Sequence, residues 1–222
     1  MYIYRPIFNQ LSITPAKVYA EMGYRETQPE WYIKELTGNL LKEFSDTIVS
    51  TCFFDIYDGK VEDKSVILNN GTVFQVNDVL STLMYGSVKF AIFASTAGIE
   101  FQYIQDRLKT EGDMLKIFIV DSIGSCIAES AGDYLESKLK EETGSLKHTN
   151  RFSPGYCGWN LTEQKKLFHL FGNQTYDITL SESCLMIPIK SISGIIGIGE
   201  NVNEKKYACQ YCTMDNCYRK RQ

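Results

Sequence analysis

Residues 122–140 read Ser-Ile-Gly-Ser-Cys-Ile-Ala-Glu-Ser-Ala-Gly-Asp-Tyr-Leu-Glu-Ser-Lys-Leu-Lys, and this stretch decides the fold because it predicts one long buried helix. Its apolar positions recur every four residues, which predicts that one helix face packs against the core. That face consists of Ile123, Ile127, Ala131, Leu135 and Leu139. Small residues between them, among them Gly124 and Gly132, let another backbone approach closely, at a cost in helix propensity.

Glu129 lies roughly opposite this apolar face, beside Ser122, Cys126 and Asp133. Two interpretations of its carboxylate are open at this point. Periodicity by itself favours a solvated side chain on the polar face of the helix. The alternative is a carboxylate that lines a polar cleft.

Strand-forming segments lie on both sides of this helical region. Residues 47–76 and 88–94 precede it, and residues 185–189 and 192–198 follow it. Within the first segment, Asn69-Asn70-Gly71 predicts a hairpin turn, because Asn and Gly accept positive φ angles.

Helices are predicted between and before these strands. Helical sequence dominates from about residue 99 to 141, and two shorter helices are predicted at residues 14–24 and 29–44. A proline opens each of the two, since a missing N–H costs nothing at a first helical position. Gly23 then ends the first. The order of elements predicts an α/β (α+β) fold in which helices pack on a twisted, mostly antiparallel sheet.

The composition predicts a cytoplasmic globular protein. The 222 residues carry a net charge of −4, which provides no basic excess for binding nucleic acid. No stretch reaches the ~20 apolar residues of a membrane span, and the N-terminus lacks the features of a signal peptide. We therefore expect no nucleic acid and no membrane among the partners. Residues 1–205 are expected to form one domain, and residues 206–222 a cysteine-containing C-terminal tail.

Three of the seven cysteines, Cys209, Cys212 and Cys217, cluster in this tail. Clustered thiolates are typical ligands of zinc or of an iron–sulfur cluster. Three thiolates leave a tetrahedral site incomplete, so Cys157, Cys184 or a partner residue would have to complete it. The alternative is a tail with free thiols, and the sequence leaves both interpretations open.

Residues 151–159, Arg-Phe-Ser-Pro-Gly-Tyr-Cys-Gly-Trp, are the most distinctive segment of the chain. Its arginine offers a bidentate fork to a carboxylate, and Gly155 and Gly158 let main-chain groups reach a ligand directly. Tyr156 or Trp159 can cover a flat ring or face a cation. The alternative is a rigid Pro-Gly turn with its aromatic side chains in the core, which is favoured for such a turn taken alone.

The residues after this loop predict another helix. Asn160 can cap it, and Glu163 lies three residues further on, as in a capping box. Gly172 is expected to end it.

Two motifs in this order resemble the activation domain of cobalamin-dependent methionine synthase, also called its reactivation domain. Residues 151–156, Arg-x-Ser-Pro-Gly-Tyr, are similar to the family's Arg-x-x-Pro-Gly-Tyr motif. Residues 129–135, Glu-x-x-x-Asp-Tyr-Leu, resemble the family's Glu-x-x-x-(acid)-Tyr-Leu pattern. The likeness covers most of residues 85–200, while the N-terminal quarter matches only loosely.

The resemblance implies a C-shaped single domain that binds S-adenosylmethionine on an extended surface. In the family, the residue corresponding to Arg151 holds the methionine carboxylate, and the one corresponding to Glu129 also contacts the ligand. Residues matching Ser153, Gly155 and Tyr156 supply main-chain and ring contacts. The resemblance therefore favours a binding role for Glu129, and it implies no catalytic acid or base.

The sequence departs from the family pattern in three respects. The family's N-terminal aspartate has no secure counterpart, and residues 191–194, Ser-Ile-Ser-Gly, stand where a late tyrosine contacts the ligand. The cobalamin motif Asp-x-His-x-x-Gly is absent, so we expect a partner to hold the cobalamin.

The resemblance thus implies that residues 1–205 are a reactivation domain that acts in trans as a component of a methyltransferase. Its partner would be a truncated cobalamin-dependent methionine synthase without its own activation domain, or another corrinoid protein. A flavodoxin- or ferredoxin-type protein would donate electrons. The alternative function is a metal-binding (iron–sulfur or zinc) electron-transfer or assembly module for a corrinoid protein, built on the three tail cysteines.

Overall fold

An antiparallel sheet of seven strands forms the centre of the structure, a computed structural model that describes residues 1–172 and 175–202. Its strands are β1 (Tyr2–Tyr4), β2 (Thr51–Glu62), β3 (Ser65–Leu68), β4 (Val73–Gln75), β5 (Lys89–Thr96), β6 (Lys147–Phe152) and β9 (Ser191–Gly199). Strands β7 (Thr179–Leu180) and β8 (Met186–Ile187) form a separate pair. The main order is β4-β3-β2-β5-β9-β6, with β1 also paired to β2.

The long strand β2 joins the two parts of this sheet. Its residues 51–58 pair with β5, with Thr51 opposite Thr96, and its residues 59–62 pair with β3. Strand β5 pairs along its whole length with β9, which pairs in turn with β6. Every one of these pairings is antiparallel, so the predicted mostly antiparallel sheet is confirmed.

Helices cover the sheet. They are α1 (Pro15–Glu21), α2 (Trp31–Ser45), α3 (Asp78–Met84), α4 (Ile99–Glu111), α5 (Met114–Thr143) and α6 (Gln164–Phe171), with short 3-10 turns at Phe8–Gln10 and Leu161–Glu163. The 30-residue helix α5 contacts β2, β5 and β9, and it also contacts α1, α2 and α4. The predicted mixed α/β architecture is therefore confirmed, with α5 at its centre.

The local signals place most element ends correctly. Thr14 caps α1 by accepting a hydrogen bond from Lys17 N at 3.3 Å, and Gly23 follows the helix with a φ of 99°. The predicted hairpin turn connects β3 and β4, and its Gly71 has a φ of 89°. Helix α2 begins two residues later than its proline predicts, because Glu30 is still extended.

The late strand predicted at residues 185–189 is mostly absent from the sheet. Strand β8 keeps only two of these residues and pairs with β7, whereas β9 confirms the strand predicted at residues 192–198. Tertiary hydrogen bonds hold the intervening segment instead. Ile189 N donates to Gln102 Oε1 of α4 at 2.9 Å, and Lys190 O accepts from Ala97 N at 2.8 Å.

The predicted apolar face of α5 is confirmed as core. Its five residues are fully buried: Ile123, Ile127, Ala131, Leu135 and Leu139. On the other side of the helix, Ser122, Cys126 and Ser130 are buried as well. The solvated face is therefore narrower than periodicity predicts, because the neighbouring helices cover part of it.

The small residues of α5 make room for side chains rather than for another backbone. A Cβ atom at Gly124 would collide with the ring of Phe101 and would lie 2.8 Å from Lys190 Cγ. A Cβ atom at Gly132 would collide with the guanidinium of Arg151. The expectation of a close backbone approach is thus wrong at both glycines, although the need for a small residue is real.

Candidate functional site

Arg151 brings together the two motifs that the sequence singles out. It lies in β6 with its guanidinium against α5, where Glu129, Asp133 and Glu136 follow one another along one side of the helix. Its Nη2 lies 3.2 Å from Glu129 Oε2 and 2.9 Å from Asp133 Oδ1. Its Nε lies 3.1 Å from Glu136 Oε1. Two of the five candidate binding residues, Glu129 and Arg151, are therefore in direct contact.

Gly132 creates the space for this arrangement. The guanidinium of Arg151 occupies the volume that a side chain at position 132 would need, and Ile192 Cδ1 lies 2.8 Å from the same point. Sequence reasoning did not single out Gly132 for this purpose. The available signal is its position three residues after Glu129, on the same side of the helix.

The donor groups of Arg151 are already engaged. Besides the three carboxylates, the carbonyl oxygen of Glu129 accepts from Nη1 at 3.5 Å, and only 18% of the arginine side chain is exposed. A ligand carboxylate would be a fourth anion around one cation, and it would have to displace one already bound. In this structure Arg151 holds the carboxylates of α5 in place, while the side chain of Glu129 remains 46% exposed.

Internal hydrogen bonds fix the loop that follows Arg151. Gly155 N donates to Trp159 O at 2.9 Å, and Tyr156 N donates to Ser153 O at 3.1 Å. Gly155 and Gly158 have φ angles of 90° and 73°, which L side chains rarely adopt. The N–H groups of Gly155 and Tyr156 are thus used within the turn, as are the carbonyl oxygens of Ser153 and Trp159.

The two aromatic side chains of the loop have opposite environments. Trp159 is 2% exposed and packs edge-on against Phe74, with 6.2 Å between the ring centres. Tyr156 is 61% exposed. The suggestion that Trp159 covers a ligand ring is therefore wrong, because that side chain belongs to the core, and Tyr156 is the aromatic residue that the loop presents.

The capping box predicted after the loop does not form. Asn160 does cap the first turn, accepting from Thr162 N at 2.9 Å. The carboxylate of Glu163 instead accepts from Gln75 N at 3.0 Å and pairs with Lys166 at 2.9 Å. Glu163 therefore ties this turn to β4, a contact that local sequence does not reveal. Gly172 ends α6 as predicted.

A cavity of about 330 Å³ opens between α1 and α5. Lys17, Glu21 and Arg25 line it from α1 and the residues after it, and Cys126 and Glu129 line it from α5. Burial, with a smaller contribution from the nearby charge of Glu21, raises the pKa of the Cys126 thiol to about 11. Glu129 thus lines a polar cleft, which favours that interpretation over a fully solvated carboxylate.

Sequence reasoning missed the α1 side of this cavity. Lys17 and Glu21 are four residues apart, so they share one side of α1, and the buried Val18 beside Lys17 anchors the helix to the core. Nothing in the local sequence shows that this side of α1 packs against α5. The contact between the two helices becomes visible only in the folded structure.

The metal prediction falls outside the part of the chain that the structure describes. Cys209, Cys212 and Cys217 all lie after residue 202. Within residues 1–172 and 175–202, no group of three His, Cys, Asp or Glu residues is placed to hold a metal ion. Among these same residues, no helix has the length and apolar character that a membrane crossing requires.

Comparison with solved structures identifies the fold. A crystal structure described as the MetH reactivation domain bound to AdoHcy matches with a TM-score of 0.71, at 16% sequence identity. The match covers 93% of this chain and 80% of that chain. Among curated proteins, none matches this sequence at a significant level.

Comparison with models of protein families identifies the family of the chain. The family model described as the activation domain of vitamin B12 dependent methionine synthase matches residues 70–222, which is more than half of the chain. The matched range contains both candidate motifs, with Glu129 in the first and Arg151 in the second. The chain therefore belongs to the family of vitamin B12-dependent methionine synthase activation domains.

Proposed function

We propose that this protein binds S-adenosylmethionine in the cytoplasm and supports reductive methylation of cobalamin on a partner. The partner is a cobalamin-dependent methionine synthase that lacks its own activation domain. The observation that carries this proposal is the ion pair between Glu129 and Arg151, which joins both motifs in a chain of the activation-domain family. The MetH reactivation domain, which shares this fold, was crystallised with AdoHcy, the molecule left when S-adenosylmethionine loses its methyl group.

The donor site is centred on Glu129 and Arg151. Ser153, Gly155 and Tyr156 supply further main-chain and ring contacts from the adjoining loop. The exposed ring of Tyr156 suits stacking on adenine. The half-exposed carboxylate of Glu129 suits the positive charge of a sulfonium.

The proposed reaction requires no acid or base from this chain. A flavodoxin- or ferredoxin-type donor supplies one electron to Co(II) cobalamin, and the reduced cobalt accepts the sulfonium methyl group. The electron pair of the broken carbon–sulfur bond leaves with S-adenosylhomocysteine. The chain contributes by holding the methyl group within reach of cobalt, which is catalysis by proximity. Its 222 residues contain no Asp-x-His-x-x-Gly motif, so the cobalamin is supplied from outside them.

A reactivation assay tests this function. Methionine synthase without its activation domain is first inactivated as Co(II) and then mixed with the protein, S-adenosylmethionine and a reductant. We expect synthase activity to return only in the complete mixture. Lys34→Ala, an exposed change on α2, serves as a control variant that should act like wild type. A complete mixture that leaves the synthase inactive would show that the proposal is wrong.

A further inference from the structure

Helix α5 carries exposed apolar side chains beyond the donor site, toward its own N-terminus. Successive residues of a helix are rotated by about 100°, so Leu115 and Phe118 lie within about 40° of Glu129 around the helix axis. Both residues are exposed, and Phe118 keeps 49% of its surface. The side of α5 that carries Glu129 therefore changes from carboxylates near Arg151 to apolar side chains in the first two turns of the helix.

The segment that leads into β9 adds apolar side chains next to this part of α5. Lys190 Nζ lies 2.9 Å from Asp121 Oδ2 and 3.0 Å from Ser125 Oγ, which fixes the segment against α5 one turn before Glu129. Because Lys190 and Asp121 form an ion pair, the two residues together add no net charge to this surface. The residue before Lys190, Ile189, is 47% exposed, and Ile187 is exposed as well.

The size of a protein interface connects this apolar surface with the donor site. Phe118 precedes Glu129 by eleven residues, which corresponds to about 16 Å along the helix axis. A stable interface buries about 800 Å² on each partner, which corresponds to a patch of about 16 Å in radius. A protein that brings cobalt to a methyl group beside Glu129 therefore covers Ile189 and reaches Phe118.

We infer that Leu115, Phe118, Ile187 and Ile189 form a docking face for the corrinoid protein whose cobalt accepts the methyl group. The inference rests on the proposed function and names the surface by which the partner is held. Contiguous exposed apolar residues are typical of interaction sites, and their burial against an apolar patch of the partner supplies affinity.

The position of the docking face favours this partner over a second copy of the chain. The face continues directly into the side of α5 that carries Glu129, so a second copy bound there would cover the approach to the donor site. The carboxylates of Glu129, Asp133 and Glu136 already pair with Arg151. The apolar half of this side of α5 is thus the half that is available to hold a partner.

The dependence of reactivation on synthase concentration tests this inference. Methionine synthase without its activation domain, in the Co(II) state, is titrated against wild type and Phe118→Gln/Ile189→Gln, with reductant and saturating S-adenosylmethionine. We expect the half-saturating synthase concentration to rise about tenfold or more in the double variant, because two apolar anchors are lost. The maximal rate should stay at the wild-type value, since the donor site is unchanged.

A matched control removes two exposed apolar side chains elsewhere. Tyr85 and Val88 are both exposed, and Val88 directly precedes β5. The other end of β5, at Thr96, pairs with Ser191 beside the docking face. Tyr85→Gln/Val88→Gln should therefore keep the wild-type half-saturating concentration.

Two further measurements separate this inference from its alternatives. Phe118→Gln/Ile189→Gln should bind S-adenosylmethionine like wild type in calorimetry, and weaker binding would assign these residues to the donor site and overturn the inference. If wild type sediments as a dimer that only this variant dissociates, the face joins two copies and the inference is wrong. An unchanged half-saturating concentration would also refute it, while the proposed function would stand. Wild type that restores no activity at any synthase concentration would overturn both.

Discussion

Gly132 determines where Arg151 can lie. A methyl group at this position would collide with the guanidinium and would lie 2.8 Å from Ile192 Cδ1. We expect Gly132→Ala to lower the free energy of unfolding by about 1–3 kcal/mol, because overpacking a fitted site outweighs the gain in helix propensity. Binding of S-adenosylmethionine should weaken as well, since Arg151 would no longer hold Glu129. Urea denaturation and calorimetric titration measure the two effects.

Gly38 provides a matched control for this variant. It lies within α2, and a Cβ atom added there would have no neighbour within 4 Å. Gly38→Ala should therefore raise the free energy of unfolding by about 0.5–1 kcal/mol and leave binding unchanged. If both variants behaved alike in both measurements, Arg151 would not depend on the space at Gly132.

The buried thiol of Cys52 should make the free energy of unfolding depend on pH in the alkaline range. It is fully buried in β2, and burial raises the pKa of its thiol from 9.0 to about 12. Below the unfolded pKa both states keep the proton, so this thiol has no effect on the pH dependence. Above it the unfolded chain ionises first, and the free energy of unfolding falls by about 1.4 kcal/mol per pH unit until the folded thiol also ionises.

The expected result is a difference between variants. Between about pH 8 and pH 10, Cys52→Ala should lose about 1.4 kcal/mol less of its free energy of unfolding than wild type. Val66→Ala, a change at another fully buried position, should be destabilised at every pH but keep the wild-type pH dependence. Denaturant titrations across this range provide the values, and parallel curves for wild type and Cys52→Ala would contradict the argument.

Among the elements of the fold, the loop after β6 depends on a residue from the start of α3. Asn77 accepts from Leu80 N at 2.9 Å as the cap of α3, and its Nδ2 donates to Cys157 O. Asn77→Asp keeps the cap acceptor but removes the donor to the loop. We expect faster amide exchange at residues 155–159 and weaker binding of S-adenosylmethionine, with α3 retained.

Comparing Asn77→Ala with Asn77→Asp separates the contribution of the α3 cap from that of the contact with the loop. It removes both contacts, so its free energy of unfolding should fall by about 1 kcal/mol more than that of Asn77→Asp. Hydrogen exchange resolves the loop from the helix. Unchanged exchange in the loop of Asn77→Asp would mean that its internal hydrogen bonds suffice to hold it.

Element by element, the sequence predicts what local chemistry determines. The hairpin at Gly71 and the apolar face of α5 follow from φ preferences and helix periodicity, and both are present. Glu163 shows the limit of prediction from local sequence. Its spacing from Asn160 fits a capping box, but its carboxylate accepts a hydrogen bond from Gln75 of β4 instead. Trp159 shows the same limit of local sequence, because its ring is buried against Phe74, which lies far away in the sequence.

The candidate site could be predicted only in part, because its residues come from distant segments of the chain. Both family motifs lie in the C-terminal part, and they identified Glu129 and Arg151, which the structure places in contact. Lys17 and Arg25 belong to a region that matches the family only loosely, and the family model begins at residue 70. Their place opposite α5 follows from the packing of α1 on that helix, which no local pattern encodes.

At the scale of the whole molecule, the binding domain is expected to be separable from the cysteine tail. The sequence predicts that residues 206–222 are a tail outside the domain of residues 1–205, and this tail contains neither Glu129 nor Arg151. If this division is right, removing residues 206–222 should leave the free energy of unfolding and the affinity for S-adenosylmethionine unchanged. Denaturation and calorimetry of the shortened chain check this, and a large loss in either would place the tail within the domain.

Comparing the full chain with the chain that lacks residues 206–222 also tests whether the tail binds metal. If Cys209, Cys212 and Cys217 are metal ligands, the full chain purified without oxygen should contain stoichiometric iron or zinc, and the shortened chain should contain none. A full-length variant with all three cysteines changed to serine is the matched control, because it keeps the tail and removes only the thiolates. Metal retained by that variant would show that the ligands lie elsewhere. A full chain without metal would remove the basis for an electron-transfer role.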